Sequence, residues 1–388
     1  MFLVIFFVIS LLTLAYRAFR YRLTYWTRHG IPQLQPAIPF GDFGPVFRQK
    51  RFYGELLQDL YLQSKHLPLV GIYLTFRPVL IAVDPELIKA ILVRDADCFS
   101  DRGRWQGGAV AVDGFNLMRI AFYFLAPKFK NWLGIKFVDS VVESFMISMV
   151  RKISEHREHE KGDQDLIQML LELRSSDLAL KDEIVAAHAL FFIIGSYEAS
   201  TTTTSFCLYE LAKNVDIQQK AQQEIDSVIS KEEGELTVEN LADMRYVDCC
   251  INETYRKYPQ CQSCSEDVPR TTSCRNTTSQ SPSGSTVVIP LLGLANDPEF
   301  FPNPEAFLPE RFENKPDYGL PFYPFGAGPR SCIAKRLGHL QTKVALVMLL
   351  AKFDIALANP DAASVRFDPK FFITKAVGGL NLVFTKRD

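Results

Sequence analysis

The sequence predicts a mainly α-helical domain with small β-sheets, tethered at its N-terminus to a membrane. Three observations point there. Several long segments repeat apolar residues three and four apart, the spacing of one helix face. The stretch 69–83 reads as a strand pair, and the tail 371–385 alternates as a strand does. The first sixteen residues, MFLVIFFVISLLTLAY, carry no charge and are followed by Arg17, Arg20, Arg22 and Arg28.

The elements follow in order. The opening apolar run is close to the lower limit for a membrane-spanning helix. It lacks a small-residue cleavage site, which argues against a removed signal peptide. A run that starts at residue 1 and ends in arginines is a poor core helix. Residues 1–22 therefore read as an uncleaved signal anchor, with Arg17 and all that follows on the cytosolic side. Gly30, Pro32, Pro36, Pro39 and Gly41 make a stiff, helix-free stretch within a Pro/Gly hinge over 23–45. Beyond it, 46–388 shows no repeat and no interdomain linker, so it reads as a single domain. Helices are expected over 52–65, 137–159, 182–215, 217–229, 241–258 and 334–353. A strand pair is expected over 69–83 around Arg77-Pro78, and Asp84-Pro85 starts a helix with Asp as N-cap. The tail, 371–385, suggests a hairpin around Gly378-Gly379.

Composition narrows the function. In 388 residues, 47% are hydrophobic and 22% charged, which excludes wholesale disorder. A net charge of −1 argues against a nucleic-acid binder. Thirty Phe against three Trp point to a large apolar interior or pocket. The eight cysteines are scattered and would stay reduced in a cytosolic domain. Cys261, Cys264 and Cys274 would need a fourth ligand to hold zinc, and no His lies near. His156 and His159 sit in a charged stretch without the H-E-x-x-H order, the pattern of a solvated helix face.

The sharpest signal is Phe325-Gly326-Ala327-Gly328-Pro329-Arg330-Ser331-Cys332-Ile333. Two glycines let the loop take positive φ and bring backbone close to a flat partner. Cys332 stands at the start of an apolar helix, whose dipole favours a thiolate. Arg330 can bind a carboxylate beside that sulfur. A thiolate on a helix start with a cation for a propionate suits a haem iron. A plain turn with a buried Cys leaves the F-G-x-G-x-R-x-C spacing unexplained.

At these residues the chain resembles the cytochrome P450 family of haem-thiolate monooxygenases. Glu253-Thr254-Tyr255-Arg256 matches the family's E-x-x-R, and Pro309-Glu310-Arg311-Phe312 its P-E-R-F. Asp297-Pro298-Glu299, Pro302-Asn303-Pro304-Glu305 and Phe307 match the stretch before it. The wording of Phe99 to Gly103, Ser205 to Ala212 and Arg256 to Pro259 resembles the insect microsomal detoxification clade. The resemblance implies the P450 fold and haem b (iron protoporphyrin IX). It makes Cys332 the axial iron ligand and Phe325, Gly326, Gly328 and Arg330 the cofactor loop. It also implies a triad of Glu253, Arg256 and Arg311 behind the haem. Electrons would come from NADPH through NADPH–cytochrome P450 reductase, at the cytosolic face of the endoplasmic reticulum membrane. Substrates would be lipophilic small molecules. Arg330, Lys335 and Arg336 suit a docking face, although basic helix starts are common. Phe191, Phe192, Ile194 and the stretch 372–376 are pocket walls or ordinary core.

Four departures stand against the family pattern. On the distal helix, Gly195-Ser196-Tyr197-Glu198-Ala199-Ser200 puts Ser196 for a glycine and Ala199 for the threonine that helps bring protons to bound oxygen. Proton delivery then falls to Glu198, Ser200 or water, while the run from Thr201 to Thr204 also suits hydroxyls bonding back along the helix. The propionate-binding W-x-x-x-R is not kept: Trp105 is followed by Ala109 and Trp132 by Lys136. Several haem-covering helices are expected to be missing near 116–122. The segment 260–283 reads as a flexible loop rich in Ser, Thr, Gln and Cys. With suitable synonymous codons, however, it read two bases out of phase gives MPVLLRRCTKDYQLPKYNITIPK, which resembles the family text expected there. Finally, Ala334 stands for a glycine. The departures leave a second reading of another class: a non-catalytic, truncated, membrane-tethered relative that binds haem poorly or not at all.

Overall fold

The computed structural model describes residues 2–96, 99, 140–159, 165–175, 181–231, 237–261, 263–267, 272–273, 280–281, 285–313, 321–360, 365–371 and 373–387. The chain forms two compact units, one from 1–109 with 200–388 and one from 110–199.

The larger unit begins with α1 (Phe2–Arg22), an unbroken apolar helix that buries none of its side chains in the protein. It is long and apolar enough to cross a membrane. After the short α2 (Tyr25–Arg28), the stretch expected as a hinge runs along strand β1 (Leu69–Leu74). Gly71 N–H donates to the Pro32 carbonyl at 2.8 Å, and Leu34 N–H donates to the Gly71 carbonyl at 3.1 Å. Trp26 is fully buried and donates its indole N–H to Ile72 at 3.1 Å. A side chain on Gly71 would overlap that indole. The contacts occupy the free edge of β1, which would otherwise present unpaired backbone groups.

Helices α3 (Gly44–Phe47) and α4 (Tyr53–Gln63) lead into the main sheet, ordered β1, β2 (Arg77–Ala82), β6 (Thr286–Ile289) and β3 (Cys264–Asp267). Strand β2 (Arg77–Ala82) runs antiparallel to β1, with Leu69 opposite Ala82. The reversal falls at Thr75 and Phe76, just before the expected Arg77-Pro78, because Thr75 takes the positive φ. Pro78 is tolerated because β6 pairing starts only at Val79. In 260–283 the structure places β3 (Cys264–Asp267) and a short ladder of β4 (Thr272–Ser273) with β5 (Gln280–Ser281). β3 pairs antiparallel with β6 (Thr286–Ile289), so a neighbour's ladder, rather than strand-forming residues, sets its shape.

Asp84 caps α5 (Pro85–Lys89), accepting from the Glu86 and Leu87 N–H groups at 2.6 and 3.1 Å. The helix then loosens into a π-turn over Ala90–Arg94. The main helical core joins the C-terminal part of α8 (Asp182–Lys213), α9 (Val215–Lys231), α10 (Val238–Asp243), α11 (Arg245–Lys257) and α13 (Lys335–Leu350). Val247, Cys250, Ile251 and Tyr255 supply one face of α11 to it, at helical spacing. A short α12 (Leu291–Ala295) packs on α4.

The tail corrects the sequence reading. Its reversal lies within 368–375, fixed by Asp368 N–H to Lys375 at 2.8 Å and Val377 N–H to Arg366 at 2.9 Å. Gly378 and Gly379, both at positive φ, instead feed β8 (Leu382–Lys386), which pairs with the distant β7 (Phe353–Leu357).

The smaller unit contains α6 (Ser140–His159), α7 (Leu166–Ser175) and the first part of α8 (Asp182–Lys213). Its described core is Met146, Val150, Val185, Ala186 and Ala189. Residues Cys98, Trp105, Trp132, Lys136 and Cys274, and the expected deletion near 116–122, lie outside the described residues.

The linker contact carries a pH dependence. Asp42 accepts from Tyr73 N–H at 2.7 Å, and burial raises its carboxyl to about 6 from an ordinary 3.8, the Tyr73 amide pulling the other way. The folded chain thus holds this proton more tightly than the unfolded one. Stability from this group is full below the ordinary value and is lost as pH rises through about 6. Asp42→Asn should remove this loss, so urea titrations should show the variant gaining on the parent between pH 4 and 6 and holding a constant lead above. A difference independent of pH would contradict the assignment.

Candidate functional site

The loop ahead of α13 is pinned at its base and open at its tip. Gly326 and Gly328 take φ of +72° and +70°, as the spacing predicts. Cys332 N–H donates to the Phe325 carbonyl at 2.8 Å, and Ser331 N–H to Gly328 at 3.1 Å. The Phe325 ring meets Tyr255 edge-on at 5.0 Å and packs on the helical core. Beyond this closure the Cys332 thiol is free and exposed, and Ile333 is 95% exposed. Lys335, the first residue of α13, donates its N–H to the Cys332 carbonyl at 3.3 Å. Arg330 is half-buried and has no carboxylate partner among the described residues.

This set has a definite chemistry. An exposed soft donor at a helix start can bind a metal as thiolate. An exposed Ile beside it offers apolar contact, and a guanidinium lacking a carboxylate can take an anionic edge. The residues present fit a haem.

Behind the loop, α11 carries a buried ion pair. Glu253 and Arg256 are both fully buried. Arg256 donates from Nε to Glu253 Oε2 at 2.8 Å and from Nη2 to Oε1 at 2.9 Å. It also donates to the carbonyls of Ala295 at 2.9 Å and Pro304 at 2.7 Å. Glu253 accepts from Leu308 N–H at 3.0 Å. Arg311, in the turn Pro309–Phe312, places Nε 3.4 Å from Glu253 Oε1 without hydrogen bonding and donates Nη2 to Asn303 at 2.9 Å. The fork-to-fork pairing and the carbonyls satisfy charges that burial would otherwise make costly.

A cytochrome P450 family model matches residues 110–378 of this chain. The chain belongs to the cytochrome P450 family. Cytochrome P450 6j1 of Blattella germanica is 28% identical over 473 positions, covering 93% of each chain. Probable cytochrome P450 6d5 of Drosophila melanogaster is 27% identical, over 91% of this chain and 94% of its own. Probable cytochrome P450 6a13 of the same fly is 35% identical, over 68% of this chain and 54% of its own. These are insect P450s, as the flanking text implies. The first two alignments run over more positions than the chain's 388 residues, so those relatives carry segments this P450 lacks. Its helical body with small sheets is the P450 fold, and its class is the haem-dependent monooxygenases.

On α8 positions 195–200 are helical throughout. Ser196 Oγ donates to Ile193 at 3.1 Å, and Thr204 and Ser205 bond back to Ser200 and Thr201 at 2.9 and 2.8 Å. Glu198 and Ser200 are two positions apart, so their side chains leave the helix on different faces. Phe191 is exposed and Phe192 and Ile194 half-buried, while Ile373 and Thr374 are buried. The sequence reading missed the π-turn Ala90–Arg94, which packs on the loop at Gly328–Arg330. Nothing in its composition marks it.

Removing one partner of the buried pair leaves the other charge unsatisfied. Glu253→Ala should cost about 3–5 kcal/mol of stability, read by chemical denaturation, whereas Arg311→Ala should cost much less. Equal losses would contradict the ranking of the triad.

Proposed function

We propose that this chain is a microsomal monooxygenase acting on lipophilic small molecules, with electrons from NADPH delivered by NADPH–cytochrome P450 reductase. The observation that carries the reading is the free, exposed Cys332 in a glycine loop ahead of α13. In this reading Cys332 Sγ would bind the iron of haem b, and Phe325, Gly326, Gly328 and Arg330 would form its cradle. Arg330 neutralises a propionate. When bound, the haem would supply O2 activation and one-oxygen transfer.

The chain's own residues do the rest. Glu198, through its carboxylate, and Ser200, through Oγ, hold and pass protons on the distal helix, since Ala199 has no donor. Their separate faces leave water to join them. Lys335 and Arg336 are exposed on the first turn of α13 and suit an acidic partner surface. Residues 1–22 anchor the chain and 46–388 form the haem-binding body at the cytosolic face of the endoplasmic reticulum. The apolar, unburied α1 supports that placement, as does its arginine flank.

Two outcomes test the reading. Microsomes bearing the chain, supplied with reductase and NADPH, should oxidise a lipophilic probe, and Cys332→Ser should abolish this. Oxidation that persists in the Ser variant would overturn the assignment. Ala199→Thr should lower the peroxide released per NADPH several-fold, because it restores a hydroxyl at that position. Unchanged peroxide release would place the proton route elsewhere.

A further inference from the structure

We infer that the π-turn Ala90–Arg94 is the positioning element that sets where the Cys332 loop stands. The inference rests on the haem-thiolate reading of that loop. Helix α5 starts with good caps, yet after Lys89 it widens so that Asp95 N–H donates to the Ala90 carbonyl at 2.8 Å, the π spacing. Such single-turn bulges re-aim backbone groups and recur at functional sites. Here the widened turn faces Gly328. A Cβ on Gly328 would overlap the Leu92 carbonyl oxygen and lie 3.3 Å from Val93 Cα. The Leu92 carbonyl therefore faces the hydrogen that Gly328 carries in place of a side chain, a Cα–H···O approach.

The turn is firmly held. Ala90, Ile91 and Leu92 are buried. Arg94 donates to the Glu86 carbonyl at 3.0 Å, tying the end of the turn back to α5. The loop it meets is short: from Gly328 the 3-10 turn Gly328–Arg330 leads to Cys332. A displacement at Gly328 has only three residues in which to dissipate before it reaches the sulfur. Gly326 makes a contrast. It has nearly the same positive φ, but a Cβ there would approach nothing closer than Ser331 Cα at 3.8 Å.

That contrast supplies the test. Gly326→Ala and Gly328→Ala carry the same penalty for positive φ, so the approach to Leu92 separates them. In the haem-free full chain, Gly328→Ala should speed amide exchange at Cys332 about tenfold or more, and Gly326→Ala by clearly less. In the haem-loaded chain, Gly328→Ala should lower the share of bound haem with a thiolate-type reduced carbon-monoxide band. Deleting Val93, which shortens the π-turn by one residue, should make that share insensitive to Gly328→Ala. Equal acceleration by both alanines would overturn the inference. So would an equal effect of Gly328→Ala with and without Val93. If the Val93 deletion does not fold, the glycine pair decides alone. Haem content, measured separately, distinguishes failure of this inference from failure of the haem reading.

Discussion

The buried pair of Glu253 and Arg256 is the interaction on which the rest of the larger unit depends. Two full charges sit at zero exposure on one helix, and each is satisfied only if other segments arrive in register. Arg256 needs the carbonyls of Ala295 and Pro304, and Glu253 needs the amide of Leu308. The pair thus fixes the path of 295–308 across α11. On the same helix Tyr255 presents its ring to Phe325. A charge pair that is poor at adding net stability is therefore effective at specifying one arrangement of α11, the crossing segment and the sulfur loop.

From that clamp the functional geometry follows in short steps. Phe325 fixes the base of the loop, two glycines at positive φ turn it, and the Cys332 amide closes it on the Phe325 carbonyl. The result is a free thiol on a rigid support. The smaller unit shows several large apolar side chains at its described surface. Phe145, Met169, Phe191, Ile193 and Tyr197 are all more than half or about half exposed. Relatives carry segments this chain lacks.

Much of the site was legible because its chemistry is written in contiguous residues. The F-G-x-G-x-R-x-C loop, E-x-x-R and Asp84-Pro85 each encode a local geometry that needs no distant partner to be recognised. What was not legible depends on pairing. The tail glycines Gly378 and Gly379 look like a hairpin turn, but β8 finds its partner in β7. Cys264 to Asp267 lack strand character and become a strand because β6 offers a ladder. The turn at Thr75 moved because a non-glycine residue took positive φ. The π-turn beside Gly328 carries no Gly, Pro or cap residue to mark it, and Ala90 to Arg94 reads as a plain continuation of α5.

In the proposed reading Cys332 holds a haem as thiolate despite the segments this chain lacks. The reduced carbon-monoxide spectrum of the purified full-length chain, set beside that of Cys332→Ser, tests it most directly. A thiolate-type Soret band is expected in the parent chain and not in the variant. A parent chain without that band, or a variant that keeps it, would contradict the account.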